Sequence, residues 1–142
     1  MKLASIFKYV IPFFCALALT ACDTGTPNFE GTYGRMIDGK MTPRVKVFRN
    51  DSRLFASLYD IPNAKWGDPV EASSVTGKDY KPGWPSHEQL NSSAYQGIYA
   101  PGVVFLLAVP KDFKDYKNNT ISTGYYAWLA IPDWSFPLIK LD

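Results

Sequence analysis

The side chains able to do chemistry in this 142-residue chain are few and scattered. His87 is the sole histidine, and Glu88 beside it makes the only sequence-adjacent imidazole and carboxylate. One imidazole cannot supply the several nitrogen or sulfur ligands a zinc site prefers. Glu30, Glu71, Glu88 and the aspartates are carboxylates of the kind that work in pairs on glycosidic bonds, yet no spacing singles out a pair. A glycine-rich phosphate loop, a paired-cysteine motif, a Gly-x-Ser-x-Gly elbow and a His-Glu-x-x-His helix are all missing from the sequence. The chain therefore reads as non-catalytic, with no metal and no cofactor implied. The remaining reactive groups are the thiols of Cys15 and Cys22.

Both thiols sit in or beside a leader. Met1 to Lys8 carries Lys2 and Lys8, Val10 to Leu19 is a run of apolar or small residues, and Thr20-Ala21 are small. That three-part pattern is a secretory signal. The run is too short for a membrane span, which needs about 20 apolar residues, and it contains Pro12. Leu19-Thr20-Ala21-Cys22 resembles the bacterial lipobox at all four positions. The resemblance implies that Cys22 becomes the first mature residue and is lipidated on its sulfur and its new amino group. Each buried acyl methylene adds about 0.8 kcal/mol, so two or more chains anchor durably. Asp23 resembles the second-position aspartate that retains enteric lipoproteins in the inner membrane, a rule that varies with lineage and with the next residue, Thr24. An ordinary cleavage near Ala21 would instead leave an odd thiol in an oxidising compartment. The expected organisation is a lipoprotein signal at 1–21, a lipidated tether at 22–28 and a single β-rich domain at 29–142. Cys15 leaves with the signal and Cys22 carries lipid, so no disulfide supports the domain and its core must.

Charge excludes one class of partner. The chain holds 15 basic and 13 acidic residues, and two of the basic ones lie in the leader. The mature part is thus formally neutral and lacks the basic footprint that nucleic acid requires.

The elements that would position any site are strands. Phe29 to Ile37 alternates large and small residues up to Asp38-Gly39, a hairpin signal. A two-residue turn there sets Tyr33 opposite Arg44, whereas a longer loop sets it opposite Val45 and pairs apolar with apolar; the longer loop is expected. Asn50-Asp51-Ser52 forms the next turn before a strand at Arg53 to Asp60. A short strand at Val70 to Val75 precedes an irregular stretch, Gly77 to Asn91, with a turn of helix conceivable at Ser86 to Leu90. Pro101-Gly102 marks a type II turn between Ala94–Tyr99 and Val103–Val109. The latter is apolar on both faces and is the expected central strand. Pro110 to Asn119 mixes charges and reads as a solvated loop or a short exposed helix. Strands at Ile121–Ile131 and Trp134–Leu141 follow, the last carrying Pro137 and so expected at an edge. The fold class is mostly β: an antiparallel meander of roughly seven or eight strands forming a small sandwich or barrel.

Binding is the better class of function, and two versions arise. In one, Trp84 and His87 in the irregular loop, with Trp66 and Trp134, present anchors to a protein partner in the envelope. In the other, Phe55, Tyr59, Phe105 and Tyr125 line a barrel cavity for an apolar ligand. Against both stands the ordinary fate of large aromatics, which is core. In address, size and β-rich character the chain resembles small lipid-anchored inhibitor and immunity proteins that act on enzymes arriving in the periplasm. That resemblance implies a protein partner; an envelope-assembly accessory is equally compatible with the sequence.

Overall fold

Three tight turns fix the first and middle hairpins. Asp38 and Gly39 have φ of 49° and 75°, and Asp51 and Ser52 have φ of 47° and 68°, the paired positive values that match the twist of two-residue hairpins. Gly102, with φ of 71°, closes a type II turn in which the Val103 N–H donates to the Ala100 carbonyl at 3.0 Å. The computed structural model describes residues 27–79, 94–115, 118–129 and 135–142. Over these the chain forms β1 (Gly31–Ile37), β2 (Lys40–Asn50), β3 (Arg53–Asp60), β4 (Lys65–Trp66), β5 (Val70–Thr76), a 3-10 turn at Gly77–Asp79, β6 (Gln96–Ala100), β7 (Val104–Ala108), β8 (Phe113–Lys114), β9 (Thr120–Ile121), β10 (Tyr125–Leu129) and β11 (Ser135–Lys140). The conceivable helical turn at Ser86 to Leu90 lies outside the described residues.

Eight of these strands close on themselves in the order β1-β2-β3-β5-β6-β7-β10-β11 and back to β1, every pair antiparallel. Spatial order equals chain order, so the molecule is an up-and-down barrel and not a sandwich. β4 adds to the end of β3, and β8 pairs only with β9.

Closure overturns the edge position expected for the last strand, since β11 has neighbours on both sides. Pro137 is nevertheless accommodated. The Leu141 N–H donates to the Thr32 carbonyl, and alternation along the strand aims the Ile139 and Pro137 nitrogens the same way, toward β1. The β1–β11 ladder ends at Gly34 and Ile139, so the N–H that proline lacks falls just past it.

The first hairpin resolves its register in a way the sequence reading did not foresee. The turn stays at two residues, with Ile37 opposite Lys40 and Gly34 opposite Pro43, yet Tyr33 still faces Val45. Arg44 is the extra residue of a β-bulge, which does the work assigned to a longer loop.

Alternation then sorts the core into two compartments. Inside the barrel lie Tyr33, Val45, Ala56, Leu106, Ala127 and Leu138, each with no exposed surface. The outward side of β7 and β10 carries Phe105, Leu107, Tyr126 and Trp128, which form a second cluster. This cluster is covered by the β8–β9 arm through Phe113 and Ile121. Pro110 to Asn119 is thus more than a solvated loop: Phe113 is buried at 5 % exposure and anchors it. The single strand expected over Ile121–Ile131 divides at Gly124, whose φ is 81°, so that β9 serves the arm and β10 the barrel.

Candidate functional site

The two mouths of the barrel differ in what builds them. At the entry end, the chain arrives through Asn28 and Phe29, and the Lys140 ammonium donates to the Asn28 carbonyl at 2.8 Å. Phe29 plugs this end, its carbonyl accepting the Tyr33 hydroxyl at 2.8 Å. A cleft of about 640 Å³ lies beside it, lined among others by Glu30, Arg49, Thr76, Asp79 and Gln96. Glu30 pairs with Arg49 at 3.5 Å and Asp79 accepts the Thr76 N–H at 2.6 Å, while the Gln96 Oε1 is buried without a hydrogen-bond partner among the described residues.

The far mouth is made by the β1–β2 hairpin and the segment after β3. A pocket of about 470 Å³ opens here between Arg35, Ile37, Arg44, Leu58, Ile61 and Pro62, with Asp60 at its rim. Arg44 is only 5 % exposed because the bulge turns it inward beside Val45, where strict alternation would have sent one of the two outward. Its Nε is buried without a hydrogen-bond partner among the described residues. Burial, and then the nearby Arg35 guanidinium, push its pKa down. Arg35 lies over the Phe136 ring, 4.5 Å from the centroid. Neither arginine has an ion-pair partner among the described residues. Asp60 forms no ion pair with them; its carboxylate accepts the Asn63 Nδ2 at 2.7 Å and the Asn63 N–H at 3.3 Å. Those bonds hold its carboxyl below the usual carboxylate range.

Trp66 belongs to the same end. It pairs with Tyr59 across β3 and β4, and the rings meet edge to face at 5.1 Å on the outer side of the barrel. Trp66 is half-buried, an aromatic shelf outside the mouth rather than a lining of it. Trp84, His87 and Trp134 lie outside the described residues, as do Cys22 and Asp23. The four aromatics grouped as a cavity lining are not brought together. Tyr125 points inward against Tyr33 at 5.1 Å, Phe105 points outward against Trp128 at 5.7 Å, and Phe55 stacks on Phe48 at 5.9 Å on the outer surface.

Sequence reasoning passed over Arg35 and Arg44. The signal was present in the register conflict: with a two-residue turn, Tyr33 meets Arg44 unless a residue is bulged out, and the bulged residue is the one re-aimed. Among the described residues no cluster of histidine, cysteine, aspartate or glutamate could hold a metal ion, and no helix is long and apolar enough to cross a membrane. The chain matches no known protein family, no curated protein and no solved structure.

Proposed function

We propose that the protein is a lipid-anchored component of the bacterial cell envelope that faces the periplasm from the inner membrane and works as a non-catalytic binding module, an inhibitor or immunity protein against an envelope-targeting enzyme or toxin. One observation supports this most: the chain enters the barrel at one end, while the unpaired arginines and the Trp66 shelf lie at the other. Pro27 lies five positions after Cys22, and extended chain covers about 3.5 Å per residue, so an anchor at Cys22 keeps the entry end within about 18 Å of the bilayer. The far mouth is then turned to the periplasm. A barrel filled by its own side chains is a rigid mount for such a surface.

The anchor is tested by Cys22→Ala, expected to move the protein from carbonate-washed membranes to the soluble fraction. Retention in the membrane would refute lipidation at this position. The partner is tested by capturing the tagged protein from cells of its own source. One envelope enzyme in near-equal amount, inhibited when the purified protein is added, supports the reading; recovery of envelope-assembly subunits replaces it with an assembly role.

A further inference from the structure

We propose that the far mouth is a binding site for a small organic carboxylate, one carboxyl group carried on a short apolar chain or ring, gripped by Arg44 and Arg35. One buried charge in the protein is left without a counter-charge among the described residues. Arg44 is only 5 % exposed, and its buried Nε has no hydrogen-bond partner among the described residues. A buried guanidinium in that state is costly, and proteins keep such groups paired or put them to use. A second cation, Arg35, lies close enough to act on Arg44 and adds to the demand for an anion rather than meeting it.

Among the described residues, no carboxylate forms an ion pair with either arginine. Asp60 at the rim holds Asn63, Glu30 holds Arg49, and Glu71 holds Arg53 at 3.2 Å. Both arginines line the pocket. A guanidinium fork matches the two oxygens of a carboxylate, which names the charged part of the ligand. The other walls, Ile37, Leu58, Ile61 and Pro62, are apolar and name the rest of it. A bare inorganic anion would leave them unused. The pocket volume of about 470 Å³ falls in the range of small-molecule sites, about 300–1,000 Å³. Both arginines are also held in place before any ligand arrives, Arg44 by the bulge inside a closed barrel and Arg35 by the Phe136 ring. This inference does not rest on the lipid anchor or on the protein partner, and it stands or falls apart from them.

The probe is benzoate, titrated into the purified full-length protein while the Arg44 Nε–H signal is followed by nuclear magnetic resonance, the signal being assigned by its loss in Arg44→Met. Benzoate is expected to shift that signal saturably. Benzamide, with the same ring and no charge, and acetate, with the charge and no ring, should each bind about tenfold more weakly or worse, a difference equal to one good pair. Arg44→Met should lose benzoate binding yet melt at the same temperature or higher, since it removes an unpaired buried charge. Arg35→Gln should weaken binding without abolishing it. Should Arg44→Met fail to fold, the benzoate-to-benzamide ratio in the unaltered protein decides the matter alone. A benzamide affinity equal to that of benzoate, an Arg44 signal that benzoate leaves unmoved, or full benzoate binding by folded Arg44→Met overturns the proposal.

Discussion

Leu106 and Leu107 are neighbours on β7, both with no exposed surface, and they sit in two different kinds of core. Leu106 faces the barrel interior, where eight strands surround it on every side. Leu107 faces out, into a cluster roofed by an arm whose ladder is two residues long. Equal burial therefore conceals unequal support. The interior is walled by hydrogen-bonded sheet that cannot move inward without breaking closure, whereas the arm is tied at its base, among the described residues, by the bond from the Val109 N–H to the Gly124 carbonyl at 2.8 Å, and can settle. The cost of a cavity depends on how far its surroundings collapse into it, so the two leucines provide a direct comparison.

The largest effect belongs to the interior. Leu106→Ala is expected to lower unfolding stability by about 4–5 kcal/mol and Leu107→Ala by about 3 kcal/mol, the two ends of the range seen for buried leucines. Denaturant titration of both variants checks this, and a Leu107→Ala loss equal to that of Leu106→Ala would show the arm to be as rigid as the barrel. A sharper version removes the roof. Phe113 packs against Tyr95 at 6.0 Å and Tyr126 at 6.2 Å and is the only arm aromatic among the described residues. Phe113→Ala should cost about 2–3 kcal/mol, below the usual figure for a buried phenylalanine, because the arm can open while the barrel stays closed. Amide hydrogen exchange is the discriminating readout: faster exchange confined to the arm and the outer β7–β10 cluster is expected, and equal acceleration in β1 and β2 would make the two cores one cooperative unit.

Much of the inner compartment was legible in the sequence, and most of the outer one was not. The Asp38-Gly39, Asp51-Ser52 and Pro101-Gly102 turns announce themselves because positive φ restricts which residues fit. The stretch Val103–Val109 stood out as central because it is apolar on both faces, and it is indeed buried twice, once in each cluster. What covers its second face is a long-range matter. Phe113 is one apolar residue amid charges, and nothing local says that it folds back onto Tyr126. Closure is equally non-local, resting on two β1–β11 positions between segments at opposite ends of the chain. The arginine mouth was hidden for a third reason: alternation is the rule by which strands are read, and Arg44 is buried where a bulge breaks that rule. Trp66, named from the sequence as a partner anchor, is half-buried against Tyr59, and Tyr59 is the one aromatic that lines the pocket.

The smallest expected effect separates the compartments by chemistry instead of volume. Each contains a tyrosine almost wholly removed from solvent, Tyr33 inside and Tyr126 outside, at 0 % and 1 % exposure. The Tyr33 hydroxyl donates to a backbone carbonyl, that of Phe29, which has no other way to turn; the Tyr126 hydroxyl meets the Ser135 hydroxyl at 3.1 Å, and Ser135 is half-buried and free to rotate toward water. Tyr33→Phe should therefore cost about 1 kcal/mol and Tyr126→Phe less, as one buried hydrogen bond differs from one that solvent can replace. Burial, followed by the neighbouring Tyr125, pushes the Tyr33 phenol well above its ordinary value of 10.0. A group whose pKa rises on folding contributes its stability in full below the unfolded value and loses it as pH climbs above. The unaltered protein must then weaken above pH 10.0, where Tyr33 ionises in the unfolded chain but not in the barrel, and Tyr33→Phe lacks this liability. The stability gap between the two should narrow, and then reverse, as the solution is made more alkaline. Paired thermal melts on either side of that pH measure it, and a gap that stays constant would mean that water reaches the barrel interior at Phe29.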